Sequence, residues 1–176
     1  LTLVFSLFLG ILAFKRHNRW LDYALTLGSQ LGIVIPSFWM GILLLFAFTL
    51  KLEWFPFGQY APLRTGFFSW LRTIFLPSLS VSLVAISIMM RMVRSSLLEN
   101  AREDFVRTAK SKGVPERKIV YKHILKNALG PIVTLFGLQI SSILAGTIVI
   151  ENVFSIPGIG RLLLLAVQRR DLPVVQ

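Results

Sequence analysis

Few side chains in this sequence have a type and spacing suited to making or breaking bonds. Its 176 residues hold two histidines and no cysteine, which removes thiol nucleophiles, disulfides and thiolate metal sites together. Neither His17 nor His123 has a second histidine or clustered carboxylates at metal-ligand spacing. No spacing suggests a Ser/His/Asp arrangement. The dipeptide Gly-Lys never occurs, so the chain carries no Walker-type phosphate loop. The sequence reads as a non-enzyme with no metal and no cofactor. What chemistry it offers is electrostatic. Lysine and arginine number 19 against 8 acids, for a formal charge of +11. Many of them crowd around one segment, FVRTAKSKGVPERKIVYKHILKNALGP (residues 105–131), punctuated by Gly113, Pro115, Gly130 and Pro131.

The elements that must position this segment are apolar. The chain is 55% hydrophobic and only 15% charged, with a mean hydropathy of +0.71, values of a polytopic membrane protein. An uncharged run of about 18 or more residues reads as a span, because ~20 residues at 1.5 Å rise cross the ~30 Å hydrocarbon layer. Four runs qualify or nearly qualify: 1–14, 23–50, 73–92 (uncharged to Met90) and 128–150. The first is short and reads as the tail of a truncated span. The second predicts a bend near Pro36. The connector 51–72 is rich in Pro, Gly and aromatic residues, including Trp54, Tyr60 and Trp70, which favour the headgroup level. After Glu151 a Gly/Pro turn, SIPGIG, precedes an apolar stretch of six residues, Leu162 to Val167, too few to cross.

Alternate connectors lie on alternate sides. Residues 15–19 and 91–126 hold three and ten basic residues, whereas 51–72 and 151–176 hold three each. The positive-inside rule then places 91–126 in the cytoplasm. In a soluble protein +11 would point to nucleic acid; here topology accounts for the charge, and no nucleic-acid partner is expected. Within the cytoplasmic loop, about 96–127, the spacing predicts a helix over Ser96 to Lys112 with Leu98, Ala101, Phe105 and Ala109 on one face. Glu103 and Arg107 stand at i,i+4. Gly113 follows as a helix stop, and Pro115 opens a second helix, with Glu116 near its positive end. There Lys118, Lys122 and Lys126 form a basic stripe beside an apolar one of Tyr121, Ile124, Leu125 and Ala128. A solvated connector that only fixes topology would carry similar charges. A folded helix–turn–helix also suits a docking element.

The residues themselves carry a resemblance. Arg107, Thr108 and Ala109, then Lys112-Gly113, then His123, Leu125, Asn127, Ala128, Leu129 and Pro131 look like the cytoplasmic "EAA" loop of binding-protein-dependent ABC importer permeases. Arg107 and Thr108 replace its Glu-Ala, His123 its Ile and Lys126 its Pro. In those departures the loop resembles the dipeptide, oligopeptide and nickel permease branch, with R-T-A-x-x-K-G and H-x-L-x-N-A-L-x-P. Ile35-Pro36-Ser37-Phe38-Trp39 with Gly41 looks like the same branch. So does Glu151-x-x-Phe154-Ser155-Ile156-Pro157-Gly158-Ile159-Gly160-Arg161, running on to Arg170-Asp171-x-Pro173-Val174-Val175-Gln176. The resemblance covers nearly the whole chain. It implies an all-α, polytopic transmembrane helical bundle of the type I importer kind, incomplete at both ends, in the cell inner (cytoplasmic) membrane. It further implies a second permease subunit, two cytoplasmic ATPases that hydrolyse the ATP, and a periplasmic or surface substrate-binding protein. The substrate would be a peptide or nickel. Arg107, Thr108, Ala109, Lys110, Lys112, Gly113, Pro115, Glu116 and His123 would make the ATPase contact.

The uncharged runs of these spans contain no Asp, Glu, Lys, Arg or His between their ends, which argues against proton coupling and fits energy delivered from outside the bilayer. Their polar residues are uncharged. Gln139 is the first candidate for lining a translocation path, with Ser142 and Ser82 beside it. Gly137, Ser141 and Ala145, and Ser142 with Gly146, have the spacing of close helix packing. Two rival functions stay open: a membrane scaffold or sensor that recruits a protein or anionic lipid, and an ion-coupled carrier.

Overall fold

The computed structural model describes residues 1–175, all of whose regular elements are helical. In chain order they are α1 (Thr2–Lys15), α2 (Trp20–Val34), α3 (Ser37–Leu45) with a π-helical continuation Phe46–Lys51, a 3-10 turn Leu63–Thr65, and α4 (Phe67–Asn100). There follow α5 (Asp104–Ser111), α6 (Glu116–Lys118), a π-helical segment Ile119–Ile124, α7 (Leu125–Val153), α8 (Ile159–Arg169) and α9 (Leu172–Val175). Residues 116–153 form one helix of 38 residues, and α4 has 34. These two are long and apolar enough to cross a membrane; α2 and α3 qualify only when counted together. Pro36 separates them, standing at the N-cap of α3 with φ −59° and ψ 144°, because proline bars the residue before it from helical backbone.

Two expected boundaries move. The run expected to begin at 73 is helical from Phe67, ten residues ahead of Pro77, which sits inside α4. The run expected to begin at 128 belongs to a helix that starts at Glu116 and passes through Pro131. An internal proline removes one backbone hydrogen bond and costs about 3 kcal/mol in a water-exposed helix. On either side of Pro131, Ala128 and Ile132 are fully buried, and that packing holds the helix together across the break.

The chain divides into two units. The first contains Leu1–Val34 and Ala85–Ile140, the second Ile35–Val84 and the residues from Ser141 onward. The first has a core of Met89, Val93 and Leu97 from α4, Val106 and Ala109 from α5, Ile119, Val120 and Ile124 from the π-helical segment, and Ala128 and Ile132 from α7. Helix α1 joins it through small residues: Thr2, Ser6, Gly10 and Ala13 are its buried positions. A Cβ on Gly10 would lie 2.5 Å from Val93 Cγ1, so only glycine allows this approach to α4. In the second unit Gly41 of α3 faces Phe154 and Ile150, 3.1 and 3.3 Å from where its Cβ would stand. The connector before α4 is held by Phe55 stacked on Phe75, ring centroids 5.6 Å apart, and by Arg72 donating to the Trp54 carbonyl at 2.8 Å.

Candidate coupling element at the basic end

Helix α4 ends at Asn100, and Ala101–Glu103 form a turn before α5. The expected single helix over Ser96 to Lys112 is therefore two. The break resets the helical phase, so Val106 and Ala109 are the buried residues of α5, while Phe105 and Ala101 are half-buried. The expected Glu103–Arg107 pair does not form. Glu103 is the extended N-cap residue (φ −67°, ψ 151°), and Arg107 lies 3.8 Å from Asp104 instead, both highly exposed. Such a pair contributes little.

Gly113 ends α5 as expected. Its N–H donates to the Lys110 carbonyl at 2.9 Å and the Val114 N–H to the Ala109 carbonyl at 3.1 Å. With φ +71° at Gly113, this is the paired 5→2 and 6→1 closure of a helix end on a left-handed residue. Val114, immediately after, packs on the core. Pro115 is the N-cap residue of α6 rather than its first helical residue, a place that falls to Glu116. The π-helical turn at 119–124 widens the spacing, so Ile119 and Val120 are buried along with Ile124. Tyr121, expected on the apolar stripe, is exposed and accepts a 2.9 Å hydrogen bond from Lys15 Nζ.

The result is a folded unit with two faces. Arg107, Thr108, Lys110, Lys112, Gly113, Pro115 and Glu116 are exposed; Ala109 is buried beneath them and His123 half-buried. Lys118, Lys122 and Lys126 are exposed on the following helix. A cleft of about 380 Å³ is lined by Lys15, Lys110, Glu116 and Arg117 together with apolar residues such as Phe14 and Ile119. The surface is cationic, indented and backed by a packed core, so it can hold a protein partner by charge and shape.

One cluster escapes sequence reasoning. Asp22, in the first turn of α2, is 1% exposed. It accepts from Arg94 Nε at 2.6 Å and Nη2 at 2.8 Å, and from the Asn18 N–H at 3.1 Å, with His17 Nδ1 at 3.2 Å. Four and eight residues on, Thr26 and Gln30 share that face of α2, and Gln30 Oε1 accepts from Arg91 at 3.1 Å. One signal was available: Asp22 is the only acid before Glu53. Its partner, 72 residues away, was not inferable from local spacing.

The candidate path residues fall in different places. Gln139 is buried in the first unit; in the second, Ser82 is buried and Ser142 exposed. Among the described residues no hydrogen bond joins Ser82 to Ser142. The small residues Gly137, Ser141 and Ala145 are exposed rather than packed, and Gly137 has no side chain within 4 Å of its would-be Cβ. Glu151 is well held. Its Oε2 accepts from the Arg161 N–H at 2.8 Å, and a Cβ on Gly158 would collide with its carboxylate. The glycines of SIPGIG thus let the loop close on Glu151, which caps α8. Gln176, the last residue of the resembling stretch, lies outside the described residues.

Over residues 6–176 the chain matches the family described as the binding-protein-dependent transport system inner membrane component. It is 39% identical to a putative peptide transport system permease protein of Brucella suis biovar 1, across 100% of this chain and 56% of the relative. Identity is 37% to the oligopeptide transport system permease protein AppB of Bacillus subtilis, across 99% of this chain and 56% of AppB. It is 41% to the glutathione transport system permease protein GsiC of Escherichia coli, across 98% and 54%. The chain spans about half the length of the curated relatives it matches. A helical chain with two membrane-length helices, a folded basic loop and a family match over nearly all its length belongs to the binding-protein-dependent transport system inner membrane components.

Proposed function

We propose that the chain is the membrane-spanning permease part of an ATP-driven importer of peptides, and that the loop 105–131 is where ATPase subunits dock. The observation that carries this reading is the α5–Gly113–α6 element. It buries Val106 and Ala109 in a core shared with α4 and α7 while presenting Arg107, Thr108, Lys110, Lys112 and Glu116 outward. A connector that served only topology would not need that core. The relatives named for peptide, oligopeptide and glutathione transport support a peptide substrate over nickel. The partners are a second permease subunit, two cytoplasmic ATPases and a periplasmic or surface binding protein. ATP binding would draw the docked loops together and bias the spans between two arrangements. Gln139, Ser142 and Ser82 remain the residues proposed for the path. The uncharged runs' lack of Asp, Glu, Lys, Arg and His between their ends opposes the ion-coupled carrier, and transport-named relatives oppose the scaffold.

The test is Gly113→Asp in the full-length chain assembled with its partners. Aspartate tolerates positive φ better than most residues, so the spans should insert normally while ATPase activity and uptake uncouple. Gly113→Ala separates backbone strain from charge. Uptake that is unaltered in Gly113→Asp would sink the docking reading.

A further inference from the structure

We propose that the cleft between α2 and α4 at their basic end is an oxyanion site, for a phosphate or carboxylate group. It measures about 550 Å³ and is lined by Thr26, Gln30, Arg91 and Arg94, with Ser95 and apolar residues such as Ile88, all within the first unit. Its polar groups are donors in excess. Asp22, the acid that approaches these arginines, is consumed by the two-nitrogen grip of Arg94. Arg91 is exposed and gives one N–H to Gln30 Oε1; its other N–H donors have no protein acceptor among the described residues. That bond occupies the Gln30 oxygen and leaves the amide nitrogen to donate. Thr26 Oγ1 is buried without a hydrogen-bond partner, although a threonine in a helix ordinarily bonds back to the preceding turn. Ser95 is spent on Glu99 at 3.1 Å.

The lining therefore carries one guanidinium without an ion-pair partner, spare N–H donors and an orphaned hydroxyl, and no carboxylate of its own; Glu99, outside the lining, is turned to Ser95. A guanidinium with amide and hydroxyl donors at one cavity matches the oxygens of a phosphate or carboxylate. Its volume accommodates more than an inorganic ion. An anionic lipid headgroup and the carboxyl end of a peptide share this chemistry.

The experiment uses the full-length chain in nanodiscs and reads binding rather than uptake, so failure of the coupling reading would not move it. One arm compares retention of phosphatidylglycerol and phosphatidylcholine by native mass spectrometry. The other, in neutral lipid, compares a dipeptide with its C-terminal amide by equilibrium dialysis. The anionic probe should be favoured about tenfold in one arm or both, as charge-assisted hydrogen bonds allow, which also identifies the source of the anion. Arg91→Gln and Thr26→Val should each reduce the preference, the second without changing net charge, and Arg91→Lys should keep most of it. Equal binding of both probes in both arms, or a preference that survives Arg91→Gln and Thr26→Val, overturns the proposal.

Discussion

A carboxylate 1% exposed, held by two guanidinium nitrogens, a backbone N–H and an imidazole, has exchanged its water shell for fixed donors. Removing one partner of such a pair leaves the other buried and uncompensated. The two halves are unequal. The Arg94 side chain is 24% exposed against 2% for Asp22, so an orphaned Arg94 can reach water whereas an orphaned Asp22 cannot. Arg94→Ala should therefore cost about 3 kcal/mol, and Asp22→Asn distinctly less. Thermal unfolding of both variants and the double mutant in detergent checks this; equal losses would contradict the asymmetry. At this scale the sequence was legible wherever a residue's role is set by its chain neighbours. Gly113 was identified as a helix stop because φ > 0 after a helix needs no distant partner. Arg94 looks like one more topology charge in the sequence, because nothing near it in the chain announces Asp22.

Elements were legible in kind and less so in extent. Hydrophobic runs located α4 and α7, yet both helices begin earlier than the apolar run does, since charged and aromatic residues continue a helix as readily as apolar ones. The loop's internal faces differ from the expected ones for two physical reasons. A break at Ala101–Glu103 shifts phase between α4 and α5, and a π-helical turn adds a residue to the spacing over Ile119–Ile124; a uniform period of 3.6 captures neither. Close approach of elements was invisible too, as at Gly10. A Cβ there would meet Val93 Cγ1 at 2.5 Å and the Met90 carbonyl at 3.1 Å. Gly10→Ala should overpack the α1–α4 contact and cost about 1–3 kcal/mol. Adding Val93→Ala should recover part of the loss. The melting temperatures of the two single mutants and the double mutant decide it, and simple additivity would mean the contact is not the cause.

For the whole molecule, the uneven distribution of basic residues makes a prediction about sidedness. These 176 residues contain no cysteine, so single cysteines introduced among them can be read once any cysteine elsewhere in the protein is replaced. Lys118→Cys and Gln59→Cys, both at exposed positions, should differ with a membrane-impermeant maleimide. In intact right-side-out membranes Gln59→Cys should label and Lys118→Cys should label only after permeabilisation. The reverse pattern would invert the topology. The length of α4 matters here as well. Its 34 residues make a rod of about 51 Å at 1.5 Å per residue, against a hydrocarbon layer of about 30 Å. Between Arg72 and Arg91 lie 18 uncharged residues, about 27 Å of helix, so both charged ends of α4 extend beyond the apolar stretch. The surplus length puts Arg91 and Arg94 past the end of the apolar stretch, so their charge needs no compensation inside the bilayer.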